Sequence, residues 1–468
     1  MPSTFSGIET SNRALRMNQV VIDVTGHNIA NVDTEGYSRQ MVAVSSTDPI
    51  SLAGDGANMY QLGTGVEASA IHRAQDKFLT ARILQNASDQ ARADSLNSTL
   101  EKVQSVYGEK TATGISSLMS AFFNSFQSLS QNAESASTRS TVIQSAKVLS
   151  QQFNSVSNSL DTLTNDLQSQ IDTVIGQANS LATQVANLNK QIAATNGAND
   201  HPNDLLDKRD ELIRQLGTLV GINVNADTGQ NNEPNGMLNI TAGGFAVVQG
   251  TSVYNLPTQT KNVNGQAYLV DSFRDIPLKG GQVDGLVEGK GKIASYQSDL
   301  NAVASTLINE VNVRHQAGYG LDGLTGRVFF TGVDAAGISV SPAIENNPSA
   351  IAASVAPVTG QDVALSNGDN ALAIADIATT PVSGIYAIGD RYASSISRIG
   401  AEAKSYIQES QTQSIMNQQL QSLRGSVSGV SLDDELTTMM QYQRSYQAAA
   451  KMLTTMDAMI QNIIEMVR

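Results

Sequence analysis

The sequence predicts a mainly α protein with a β insertion, an α+β chain. Long coiled-coil-like terminal helices would form a rod, with an outer β-rich domain attached. Three observations lead to this expectation. Apolar residues recur every seven positions over long stretches towards both ends. The middle of the chain is rich in Asn, Gly, Thr and Val, broken by turn clusters such as Asn231 to Gly236. Aromatic residues make up only 5% of the 468 residues and Trp is absent. That composition suits thin cores of Leu, Ile, Val, Met and Ala in bundles and small sheets, and a length of this order allows roughly three domains.

Each element follows from local pattern. Ile8, Leu15, Ile22 and Ile29 are seven apart and predict a first helix, although Asn12, Gln19 and Gly26 keep its stripe weak. A second helical pattern covers about 78–106. Leu118, Phe122, Phe123, Phe126 and Leu129 then form an apolar helical face. The clearest periodicity runs over about 139–196, through Leu160, Leu167, Val174, Leu181 and Leu188. Its companion stripe moves from three residues after each heptad position to four, a local change of supercoil phase. Such a helix would be roughly 85 Å long. Asp207, Arg209, Asp210 and Glu211 lie in a further helix and read as a solvated charged face.

From about Gly221 the reading changes to short strands, as at Leu238-Asn239-Ile240. Helix returns near 292–314, strands and turns occupy 320–389, and helix resumes over about 392–423. Gly425 to Gly429 reads as a flexible joint. Ser431 then makes a good N-cap with Asp434 three residues on, and Asp433, Asp434 and Glu435 meet the positive end of the helix dipole. In this last helix Leu432, Met439, Tyr446, Leu453, Ile460 and Val467 recur every seven residues. Leu436, Ala450 and Ile464 fill the complementary seam, and Tyr442, Ala449, Met456 and Ile463 form a second stripe. A helix apolar over so much of its circumference needs several partners, and packing between subunits is expected.

Composition also excludes function classes. The net charge is −14 with no Lys/Arg cluster, so neither nucleic acid nor an anionic membrane is an expected partner. No stretch is apolar enough for membrane insertion. Without cysteine there is no thiolate chemistry. Residues 1–16 are polar and do not read as a cleavable signal, so export would need another route. His27, His72, His201 and His315 never fall at helical metal-ligand spacing. Gly285 to Gly291 fails as a phosphate loop, because Gly291 stands where Ser or Thr would bind magnesium. No catalytic, cofactor or metal-binding residues are expected, and the chain does not read as an enzyme.

One segment carries a family resemblance. Ala30, Asn31, Thr34, Gly36 and Tyr37 resemble the Ala-Asn-x-x-Thr-Pro-Gly-Tyr signature of bacterial flagellar rod, hook and hook-associated proteins, with Glu35 in the place of Pro. Phe122 to Phe126 with Arg139, Leu205 to Leu212, Asn312 to Gly323, Phe329-Phe330, Ser428 to Glu435 and Tyr442 to Ala448 are similar to the hook-associated protein 1 family. The resemblance implies a secreted structural subunit that joins hook to filament and leaves through the flagellar type III export channel. It implies as partners further copies of itself, the hook protein, hook-associated protein 3 and an export chaperone on the C-terminal helix. The expected division is 1–40 with 431–468 as an inner terminal-helix core. Residues 41–222 with 285–320 and 390–430 form a helical rod, and 223–284 with 321–389 an outer β-rich domain. The alternatives are another axial subunit, such as the distal junction protein, and a type III-secreted surface enzyme or adhesin.

Overall fold

A computed structural model describes residues 5–53, 59–108, 114–196, 202–228, 234–357, 367–381 and 387–466. The chain is mostly helical with small antiparallel sheets, as the periodicities require. Helix α1 (Ser6–Ala30) is followed by four strands, β1 (Gln40–Ser46), β2 (Ile50–Ala53), β3 (Met59–Leu62) and β4 (Val66–Arg73). Helices α2 (Lys77–Tyr107), α3 (Ile115–Gln131), α4 (Ala136–Asn196) and α5 (Asn203–Leu219) come next. Seven strands follow: β5 (Asn223–Thr228), β6 (Pro234–Ala242), β7 (Phe245–Gln249), β8 (Ser252–Val253), β9 (Thr260–Val263), β10 (Gln266–Val270) and β11 (Asp275–Pro277). After α6 (Gly281–Ala317) come β12 (Phe330–Thr331), β13 (Ser339–Val340), α7 (Pro342–Glu345) and α8 (Asp369–Ala375). The chain closes with α9 (Ile388–Ser428) and α10 (Leu432–Met466).

Two compact units emerge. The first comprises residues 1–89, 177–256 and 413–468, the second 90–176 and 257–412. The expected β-rich segment 223–284 is thus divided at Leu256 between them. In the first unit α1 and α10 pack together, β1 pairs with β4, β2 with β3, and β5-β6-β7-β8 form one sheet. Asn189 of α4 secures that sheet, donating to the carbonyls of Leu238 and Gly250 at 2.8 and 2.7 Å. In the second unit the rings of Phe122 and Phe126 meet those of Phe329 and Phe330 at centroid distances of 5.4–5.9 Å. Arg139, though 1% exposed, is satisfied there: it donates to the carbonyls of Ala133, Pro348 and Ile351. Burial draws its pKa down to about 10. His315 is fully buried beside Phe329, between the Arg327 carbonyl at 2.8 Å and the Ala352 amide at 2.9 Å. Accepting the amide proton on Nε2 leaves Nδ1 as the donor, which fixes one neutral tautomer.

Four expectations need correction. Strands β1 to β4 lie inside the segment 41–222 expected as helical rod; Val66 to Arg73 carries the period-two exposure of a half-buried ladder. Helix α6 begins at Gly281, ahead of the expected 292, and contains Gly285 and Gly289. These glycines serve a close approach to α2: a Cβ on Gly285 would collide with the Arg92 carbonyl, and one on Gly289 would lie 2.9 Å from the Thr99 methyl. Residues 320–389 include short helices α7 and α8 besides strands. Gly425 to Ser428 are helical, so the break before α10 is confined to Gly429–Ser431. No described helix is long and apolar enough to cross a membrane.

Candidate assembly site

The terminal helices run antiparallel. Gly7 of α1 lies against the Met456 thioether, a Cβ on Gly26 would sit 3.9 Å from the Met439 methyl, and Asn28 reaches Glu435. The fully buried line of α1 is Ser11, Asn18, Val21, Thr25 and Asn28. All but Val21 are polar. The hydroxyls of Ser11 and Thr25 fold back onto the carbonyls of Gly7 and Val21 at 2.9 and 2.8 Å, so they bring no unpaired donor into the contact. Ile8, Leu15, Ile22 and Ile29 flank this line and are half-buried.

On α10 the half-buried arc holds Met439, Leu453 and Ile460 together with Tyr442, Ala449 and Met456. Leu436, Tyr446 and Ile464 are exposed, as are Leu432, Met440, Met452, Met459, Ile463 and Met466. Val467 lies outside the described residues. The heptad positions therefore separate into a set placed against the chain's own α1 and a set left uncovered in the single chain.

The motif loop closes the base of this pair. Asn31 ends α1 by donating to the His27 carbonyl at 3.0 Å, and its own carbonyl accepts the Thr34 amide at 3.0 Å. Ala30 and Thr34 are exposed. Gly36 has φ +85°, and a Cβ there would also press on Glu211 at 3.3 Å, so glycine is required twice over. Tyr37 donates its hydroxyl to Asn28 Oδ1 at 2.7 Å. Burial, and then the charges of Asp204, Asp207 and Glu435, raise the Tyr37 pKa well above the usual phenol value, keeping that donor protonated.

Two residues outside the expected set organise the site. Asn28 pairs with the Gln40 backbone as a strand neighbour would: its Nδ2 donates to the Gln40 carbonyl and its Oδ1 accepts the Gln40 amide, both at 2.9 Å. The same Nδ2 donates to Glu435 Oε2 at 3.0 Å. Glu435 is only 1% exposed, and its other oxygen accepts Arg39 Nε at 2.6 Å. The Arg39 amide meanwhile donates to the Ser428 carbonyl at 2.9 Å, on the far side of the α9–α10 break. Sequence reasoning placed Glu435 only as a charge that meets the helix dipole. The signal for its burial was faint: Asn28 and Asn18 occupy positions where an amphipathic helix would carry apolar residues.

The expected solvated face on α5 is also corrected. Asp207 and Arg209 are buried. Asp207 accepts the Ser38 amide at 3.0 Å and Arg73 at 2.7 Å, and Asp210 accepts Arg73 at 2.8 Å. Burial alone would lower the Arg73 pKa, but the two carboxylates outweigh it and the net shift is upward. Arg209 donates to the Gly236 carbonyl at 2.6 Å and Asn189 Oδ1 at 3.2 Å, and burial takes its pKa down to about 10. These carboxylates are tolerated out of water because a cation and backbone amides satisfy them. Among the described residues no group of three or more His, Asp or Glu could hold a metal ion. The site consists of helix faces and fixed polar contacts.

Comparison with known proteins places this arrangement. The family description "Flagellar hook-associated protein FlgK helical domain" matches residues 100–330. "Flagella basal body rod protein" matches 8–37, and "Flagellar basal body rod FlgEFG protein C-terminal" matches 424–466. Flagellar hook-associated protein 1 of Bacillus subtilis is 29% identical, with 99% of this chain and 98% of that protein aligned. Its counterpart in Escherichia coli is 24% identical over 98% and 99%. The solved flagellar hook junction protein FlgK of Burkholderia pseudomallei shares the fold at a TM-score of 0.61 and 16% identity, covering 74% of this chain and all of that one. The chain belongs to the flagellar hook-associated protein 1 family, as a structural, non-enzymatic component of the extracellular hook–filament junction.

Proposed function

We propose that the uncovered face of α10, with the flanks of α1, is where neighbouring copies of this chain meet in the junction. The hook protein would lie on one side and hook-associated protein 3 on the other. The observation that carries this reading is the exposure of Met452 and Met459, 48% and 59%, on the flank of the stripe that serves α1. A soluble monomer has no need of such a run, whereas a repeating axial layer covers it in every subunit. Ile8, Leu15, Ile22, Ile29, Leu436, Met439, Tyr446, Leu453, Ile460, Ile464 and Val467 are the residues proposed to take part, either by setting the helix pair or by touching a neighbour. Under the same proposal, residues 1–40 with 431–468 act as the inner assembly core, the helical segments as a rod outside it, and the β-rich segments as the outer part.

Met459→Asp tests the proposal without replacing a residue of the stripe that holds Met456 against α1. A carboxylate forced into a covered apolar seam opposes burial strongly. The purified chain should fold and melt as the parent does, while cells carrying it build hooks without filaments and release flagellin. Normal filaments on the variant would contradict the proposed face. Before export, the same stripe suits a chaperone that receives an apolar helix in a groove. Removing 439–468 should abolish a complex with the cognate export chaperone, and unchanged affinity would place that contact elsewhere.

A further inference from the structure

The chain contains no cysteine, so methionine is its only sulfur. Its 13 methionines are unevenly placed. Six of them, Met439, Met440, Met452, Met456, Met459 and Met466, lie within the 35 residues of α10. Met440, Met452, Met459 and Met466 are exposed there, whereas Met119 in the second unit is only 3% exposed. Met456 and Met439 face α1: a Cβ on Gly7 would collide with the Met456 sulfur, and the Met439 methyl lies by Gly26. A thioether is apolar and adaptable, so it suits both the helix pair and a seam between subunits. A sulfoxide is polar and suits neither. Its oxygen would need a donor beside Gly7, and the Ser11 hydroxyl one turn along already donates to the Gly7 carbonyl.

We propose that the α10 methionines, Met452, Met456 and Met459 foremost, form a modification site at which oxidation by hydrogen peroxide holds the chain out of assembly. The proposal rests on the reading of the α10 face as the contact between copies, and adds its regulation. The sulfur lone pair attacks one peroxide oxygen, an S–O bond forms, the O–O bond breaks and the second oxygen leaves as water. Sulfur is oxidised to the sulfoxide and the peroxide is reduced. In a chain not yet assembled, Met452 and Met459 meet solvent. Once neighbouring copies cover them the oxidant is shut out, so the device acts on the arriving subunit and not on the finished layer. The change is reversible, because methionine sulfoxide reductases return each sulfoxide epimer to the thioether.

Hydrogen peroxide treatment of the purified full-length chain, with sulfoxides mapped by peptide mass spectrometry, tests the accessibility. Met452 and Met459 should oxidise about tenfold or more faster than Met119. Equal rates would overturn the proposal. Binding to isolated hooks from cells that lack this chain tests the consequence. Treated chain should bind about tenfold or more weakly than untreated chain, and recover after incubation with both reductases. Met452→Leu, Met456→Leu and Met459→Leu combined keep the volume and remove the sulfur, so that chain should bind as the parent does and keep binding after treatment. Treated parent that binds as well as untreated, a loss that the reductases do not reverse, or a triple variant as peroxide-sensitive as the parent would overturn the proposal. Met459→Asp separates the two readings. Normal binding by Met459→Asp would overturn the face and the oxidation site together, whereas failure of Met459→Asp beside normal binding of the oxidised parent would overturn the oxidation site alone.

Discussion

At the residue scale the molecule depends on a few polar side chains placed where water cannot reach. Arg139 serves three carbonyls and, among the described residues, makes no ion pair, so its value lies in satisfying backbone acceptors that would otherwise be stranded. Arg139→Met should lower the stability of the second unit by roughly 3 kcal/mol or more, since each unsatisfied buried group costs about 1–3 kcal/mol. Urea denaturation followed by protection of α3 and α4 reads this directly. His315 makes a pH-dependent contribution. Burial lowers its pKa to about 4 from 6.5. Between those values the unfolded chain binds a proton that the folded chain excludes. Its contribution is therefore complete above pH 6.5 and is lost as the pH falls towards about 4, at up to about 1.4 kcal/mol per unit. Replacing it by Asn should flatten the pH dependence of the urea midpoint between about pH 4 and about pH 6.5. An unaltered slope would show that other groups set the acid sensitivity.

At the element scale the helices follow from periodicity, while their ends and contacts follow from particular small residues. The Gly285 and Gly289 pair lets α6 lie on the backbone of α2. Gly285→Ala should destabilise the second unit by about 1–3 kcal/mol despite alanine's better helix propensity, because the added methyl meets a carbonyl and not a flexible side chain. A stabilised variant in thermal melting would show that the helices can separate freely. The same glycines explain why α6 was read as starting late: a low-propensity residue every fourth position masks a helix whose reason for glycine is a distant neighbour. Helix α4 was legible because its apolar heptads repeat without interruption from Phe153 to Ile192, and a repeat that long has few other solutions. The strands at 40–73 were passed over because short two-stranded pairs carry few residues per pattern. The motif at 30–37 was visible in sequence, and the structure supplies its physics in the helix end at Asn31, the left-handed turn at Gly36 and the Tyr37 bond to Asn28. Glu435 was not legible as a buried group, since its partner Arg39 lies 396 positions away and nothing local distinguishes it from Asp433 and Asp434.

At the scale of the whole molecule, the chain belongs to a family whose members are axial components of the flagellum, and its working partners are other flagellar proteins. Its two ends, 407 positions apart at the Asn28–Glu435 contact, meet in one helix pair. The apolar side chains of α10 divide between that pair and an uncovered face. The most direct test of the account is cryo-electron microscopy of the hook–filament boundary in flagella assembled with this chain. The expected result is a layer of this protein in which Met452, Met459 and Ile463 of each copy are covered by a neighbouring subunit while α1 and α10 stay paired. A layer in which those residues face solvent, or a boundary from which this chain is absent, would contradict it.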